Sequence, residues 1–173
     1  MRLFVGASID ESFSHALHEE LIPVRIDKSW RDVEFINWHI TTCFIGDYQG
    51  EIEVICDKIQ SVCNETEAFN LDFNKITTVS QNQPKMIWCK GQRQEAFTQL
   101  CTKLNRSILN KKPDHKPTPH ITVARSKKSV PQGIHQLDFA QTLEVKEIHL
   151  WKSFLNKNKG VNYKVLETFS LKG

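Results

Sequence analysis

The tripeptide His-Ile-Thr occurs twice, at 39–41 in NWHITTCFIG and at 120–122 in TPHITVARSK. Each copy follows a similar stretch of chain. RLFVGASIDESFSHAL and MIWCKGQRQEAFTQLC both read as a short apolar strand, a turn and a helix. Phe13, Ala16, Leu17 and Leu21 recur at helical spacing in the first, and Phe97, Leu100, Cys101, Leu104 and Ile108 in the second. Aligning Leu3 with Ile87 gives an offset of 84 residues, against 81 between the two histidines. A repeat of about half the chain is a duplication rather than a solenoid. It restricts the fold to two similar α+β halves related by a pseudo-two-fold axis.

Between and after the copies the pattern continues. Ile52, Ile55, Ile59 and Val62 mark a helix over 51–63. FNLDFNKITTV alternates like a strand, and so do the surroundings of Leu137–Phe139, LEVKEIHLWKSF and YKVLETFSL. LNKNKGVN supplies a turn between the last two. No linker or low-complexity run divides the chain, so residues 1–173 are read as one domain with halves of roughly 1–80 and 81–173. The expected architecture is bilobal, with two antiparallel sheets facing across a central cleft and helices outside.

Strand side chains alternate faces. His39 and Thr41 therefore share one face, His120 and Thr122 share another, and Ile40 and Ile121 point into apolar packing. A lone match means little: with 7 His and 11 Thr, one HxT arises by chance about half the time, and two very roughly one time in ten. Identical triplets at equivalent places in a duplication are a much stronger signal. Two imidazoles and two hydroxyls around one volume suit a cyclic phosphate. Histidine titrates near neutrality, so one ring can remove a proton while the other donates one. The hydroxyls can donate to non-bridging phosphate oxygens.

Charge points the same way. The net charge is +3, but residues 103–128 carry eight basic side chains against Asp114 alone, or +7, leaving −4 elsewhere. Such a patch around the second triplet suits phosphate or a merely solvated face. The five cysteines form no CxxC pair and read as buried reduced thiols rather than zinc ligands. No apolar run approaches the roughly 20 residues of a membrane helix. MRLFVGASID reads as a first strand rather than a signal peptide. A cytoplasmic monomer without membrane association is expected.

These motifs resemble those of the two-histidine phosphoesterases, in particular the RNA 2′,3′-cyclic phosphodiesterases also called 2′-5′ RNA ligases. MRLFVGASI, NWHITTCFIGD, PKMIWCKG, TPHITVARSK and the terminal IHLWKSFLNKNKGVNYKVLETFSL resemble that family's blocks in order. The resemblance implies opening of an RNA 2′,3′-cyclic phosphate end to a 2′-phosphomonoester, without metal or cofactor, and weak ATP-independent 2′-5′ ligation. It implies His39 as proton donor, His120 as proton acceptor, and Thr41, Thr122 and Arg125 as phosphate ligands. The sequence itself does not distinguish the two histidines. A catalytically idle RNA- or nucleotide-binding module stays open, as does an enzyme acting on another cyclic or 2′-5′ nucleotide.

Four residues pose structural questions. Thr42 stands where the family usually has Leu, so its core-facing hydroxyl needs a partner. Strict alternation turns Arg125 away from the phosphate unless the strand bulges around Ala124. Tyr163 either lines the cleft or packs within its hairpin. Trp30, beside Lys28 and Arg31, is either a platform for an RNA base or a half-buried loop anchor.

Overall fold

A computed structural model describes residues 1–24, 28–80, 84–126, 133–156 and 160–173. The strands are β1 (Arg2–Ser8), β2 (Trp30–Asp32), β3 (His39–Asp47), β4 (Phe69–Val79), β5 (Met86–Gly91), β6 (His120–Ser126), β7 (Leu137–Val145), β8 (Glu147–Asn156) and β9 (Gly160–Ser170). The helices are α1 (Glu11–Leu21), α2 (Ile52–Asn64) and α3 (Glu95–Leu109), and Phe35–Asn37 forms a 3₁₀ turn. Among these described residues, no helix is long and apolar enough to cross a membrane.

Apolar spacing sets the helices. Phe13 and Leu17 are the buried residues of α1, Ile55, Ile59, Val62 and Cys63 those of α2, and Phe97, Leu100, Cys101 and Leu104 lead those of α3. The Asp10 carboxylate caps α1 by accepting from the Phe13 N–H at 2.7 Å. Asn110, with φ of 54°, ends α3 in the left-handed conformation. Four of the five thiols are buried and Cys56 is only partly so; desolvation pushes Cys43 up to about 12.

All pairing between strands is antiparallel, in the order β7-β4-β5-β6-β3-β1-β8-β9, with β2 added to β6. The two sheets expected from the sequence are joined into one by a single residue pair, Ile40 opposite Ile121. Bringing both triplets onto one surface makes their strands neighbours. The halves also exchange strands across the middle of the chain. β4 pairs with β5 of the second half, and β8, from the C-terminal region, pairs with β1. Helices follow the exchange: α1 packs on β7 and α3 on β3.

The register refines the repeat. Val5 lies opposite Cys43 as Ile87 lies opposite Ala124, so Val5 and Ile87 are equivalent and the strand offset is 82 residues rather than 84. The two-residue difference keeps the same facing. LEVKEIHLWKSF is not one strand: β7 ends at Val145 and β8 begins at Glu147. Residues 157–159 of the expected turn, and Lys127 and Lys128 of the basic segment, lie outside the described residues.

Candidate active site

The Ile40–Ile121 pair organises the site. Directly opposed residues in an antiparallel pair point to the same face, and both isoleucines are fully buried. The residues flanking them, His39, Thr41, His120 and Thr122, therefore share the opposite face and are only partly buried.

Each imidazole is held in the same way. His39 Nδ1 lies 2.7 Å from the Asn37 carbonyl, and His120 Nδ1 lies 2.9 Å from the Thr118 carbonyl. A carbonyl only accepts, so Nδ1 carries the hydrogen and the neutral ring keeps its lone pair on Nε2. In both rings Nε2 is thus the nitrogen left able to take up a proton. Desolvation lowers both: His39 is pushed down to about 4, against the raising effect of the Asn37 bond and with help from Arg125 and His120. His120 is lowered by desolvation, partly offset by its bond to Thr118, with Arg125 and Lys90 adding to the fall.

The ring environments differ. His120 lies on the Trp88 indole with centroids 3.8 Å apart and planes 20° apart. His39 meets Phe4 at 4.7 Å, Tyr163 at 4.8 Å and Trp151 at 5.8 Å, all tilted or edge-on. By the sheet register, Trp88 occupies the place that Gly6 holds in the first half: Gly6 is opposite Thr41 and Trp88 opposite Thr122. Gly6 is required by close approach, since a Cβ there would stand 2.6 Å from the Ile40 carbonyl oxygen.

Both triplets are followed by a one-residue bulge, which answers two of the sequence questions. In β3 the register passes from Gly6–Thr41 to Val5–Cys43, leaving Thr42 as the extra residue. Its buried hydroxyl donates to the Val5 carbonyl at 3.0 Å. In β6 the register passes from Trp88–Thr122 to Ile87–Ala124, leaving Val123 extra. The bulge lies one residue before the expected position and reverses the parity of everything beyond it. Arg125 consequently faces the cleft. Phe44, at the equivalent place five residues past His39, does the same and is 53% exposed.

A cavity of about 540 Å³ is lined by His39, Thr41, Arg125 and Tyr163, with Arg2 and Phe44 on the same wall. His120 and Thr122 stand on the adjoining strand rather than in that lining. Tyr163 is joined to the histidine support, since its backbone N–H donates to the Asn37 side chain at 3.3 Å. Trp30 is elsewhere: it is 4% exposed and packs in the core, so it anchors β2 and does not offer a platform to a base. Among the described residues, no three His, Cys, Asp or Glu side chains gather as a metal would require.

Sequence reasoning missed Asn37, Phe44, Trp88 and Arg2. Phe44 was within reach, because the question raised for Arg125 applies equally at the same spacing in the first copy. Asn37 and Trp88 act through a carbonyl and a ring contact that no motif announces.

The sequence model of the "2′-5′ RNA ligase superfamily" matches residues 13–154. An Archaeoglobus fulgidus protein named RNA 2′,3′-cyclic phosphodiesterase is 25% identical, over 98% of this chain and 99% of its own. A Thermus thermophilus protein of the same name is 27% identical, over 100% of this chain and 91% of its own. Among solved structures, TT0787 of Thermus thermophilus superposes with a TM-score of 0.89 at 26% identity, covering 100% of this chain and 99% of that one. Escherichia coli LigT complexed with 3′-AMP superposes with a TM-score of 0.81 at 21% identity, covering 99% and 98%.

Proposed function

The chain belongs to the 2′-5′ RNA ligase superfamily, the two-histidine phosphoesterases, and on that premise we propose that it hydrolyses 2′,3′-cyclic phosphate ends of RNA to 2′-phosphomonoesters. The observation that carries the reading is the matched pair of imidazoles, each held at Nδ1 by the carbonyl two residues earlier and presenting Nε2 on one shared face. The names of the two curated relatives support the substrate class.

In the proposed reaction, water attacks phosphorus and His120 Nε2 takes its proton. The P–O3′ bond breaks as His39 Nε2–H protonates the leaving O3′. The products are a 2′-phosphate and a free 3′-hydroxyl. The assignment of His39 as donor follows the family, since the two supports are alike. His39 is hard to protonate in the empty site. A bound cyclic phosphate carries a negative charge beside it, which favours the imidazolium. Thr41 and Thr122 donate to the non-bridging oxygens, and Arg125 offsets their charge. Phe4, Phe44, Phe154 and Tyr163 give the adjoining cavity aromatic surface on which a base can stack. Replacing water by a 5′-hydroxyl would give the weak 2′-5′ ligation.

The test is incubation with RNA oligomers ending in 2′,3′-cyclic phosphate, in EDTA, with identification of the product isomer. A 2′-phosphate is expected, and His39→Ala and His120→Ala should each lose about 10²–10⁴-fold in rate. A wild-type protein inactive on every cyclic phosphate would overturn the reading. Loss of activity in EDTA would overturn the metal-free mechanism.

A further inference from the structure

Among the described residues, β2 is three residues long and pairs with β6, placing Trp30 opposite Ser126, Arg31 opposite Arg125 and Asp32 opposite Ala124. It is firmly held. Trp30 is buried, the Val33 N–H donates to the Val123 carbonyl at 2.8 Å, and the Trp38 indole N–H donates to the Val33 carbonyl at 3.0 Å. Val123 is the bulged residue, so one irregularity both turns Arg125 to the cleft and gives β2 a place to dock.

The result is two arginines directly opposite each other on one face. Like charges in that arrangement repel. Among the described residues, neither guanidinium forms an ion pair, although Asp32 and Glu34 border the same hollow. Arg125 donates, among the described residues, to the Met86 sulfur at 3.5 Å. Arg31 borders a hollow of about 50 Å³ together with Arg125, Asn37 and Tyr163. Arg125 and Tyr163 also line the larger cavity that contains His39. The two spaces therefore adjoin, with Arg125, Val161 and Tyr163 in the walls of both.

We propose that Arg31 and Arg125 form a second phosphate subsite, which takes the phosphate on the 5′ side of the terminal nucleotide, with Arg125 standing between that phosphate and the cyclic one and serving both. This inference rests on the cyclic-phosphate reading above. At a 2′,3′-cyclic end, the 5′-phosphate is the only other phosphate on the reacting nucleotide. Two planar guanidinium forks suit it, because each can donate two parallel bonds to phosphate oxygens. The subsite makes the enzyme selective for polynucleotide ends over free nucleoside cyclic phosphates.

The test compares a nucleoside 2′,3′-cyclic phosphate with its 5′-phosphorylated form. The wild type should favour the latter by about tenfold in kcat/KM, the scale of one charged hydrogen bond. In Arg31→Gln the ratio should fall to near one, and Arg31→Lys should retain part of it. Equal kcat/KM values in the wild type would overturn the subsite, and so would an equal loss on both substrates in Arg31→Gln. Calorimetric binding of a nucleoside 2′-phosphate and the matching 2′,5′-bisphosphate reads the same ratio without turnover. Tighter bisphosphate binding that is lost in Arg31→Gln, in a protein that hydrolyses neither cyclic substrate, would sink the catalytic reading and keep the subsite. Equal affinities would sink the subsite.

Discussion

Substituting His39 by Gln should change how stability depends on pH. In the unfolded chain the imidazole titrates at its ordinary value of 6.5, and in the folded protein it is pushed down to about 4, chiefly by desolvation. As pH falls, the unfolded state binds the proton first. The contribution of His39 is therefore fully present above pH 6.5 and is lost as pH falls toward 4. The separation of the two values corresponds to about 3 kcal/mol when the loss is complete, of which about 2.5 kcal/mol is gone at pH 4.5. His120 and His149 are also lowered, but both remain in the variant and largely cancel in the comparison. Urea unfolding of both proteins at pH 7 and pH 4.5 gives the four stabilities needed. The advantage of wild type over His39→Gln should shrink by about 2 kcal/mol between the two pH values. A gap that stays constant within about 0.5 kcal/mol would show that His39 titrates normally, and the argument from its burial would fail.

Three further outcomes follow from the same geometry. Gly6→Ala should cost about 1–3 kcal/mol, because its Cβ meets the Ile40 carbonyl oxygen at 2.6 Å; activity should fall more steeply than thermal stability, since the shift displaces His39 and Thr41. Thr42→Val removes the hydroxyl that serves the Val5 carbonyl and should lower the urea-derived stability by about 1–3 kcal/mol; a neutral result would mean that solvent replaces the bond. The pH profile of kcat/KM should be bell-shaped, and Arg125→Ala should move both limbs to higher pH, because Arg125 lowers both histidines. Movement to lower pH would contradict that sign.

Much of the site was legible because it depends on alternation. Isoleucine between His and Thr fixes which side chains face together, and the helices follow from apolar residues three and four apart. Departures from period two were harder to read. The bulge that redirects Arg125 lies at Val123, where a buried Val precedes a buried Ala and nothing else marks the change. The break between β7 and β8 has neither Gly nor Pro. Its trace is the three-residue step from Val145 to Ile148, where the buried positions Phe139, Leu143 and Val145 had been separated by even steps. Trp30 is buried, as an anchor would be, but the strand that holds it could not be read because three residues are too short to show any period. The exchange of strands between halves, and the pairing of Arg31 with Arg125, depend on contacts distant in sequence.

The single Ile40–Ile121 pair is the rivet of a pair of scissors. β3 and β6 are the inner blades, and the outer strands of each half are the handles. The two imidazoles flank the pivot, where a rotation of one half against the other would displace side chains least, and residues farther along the blades would be displaced most.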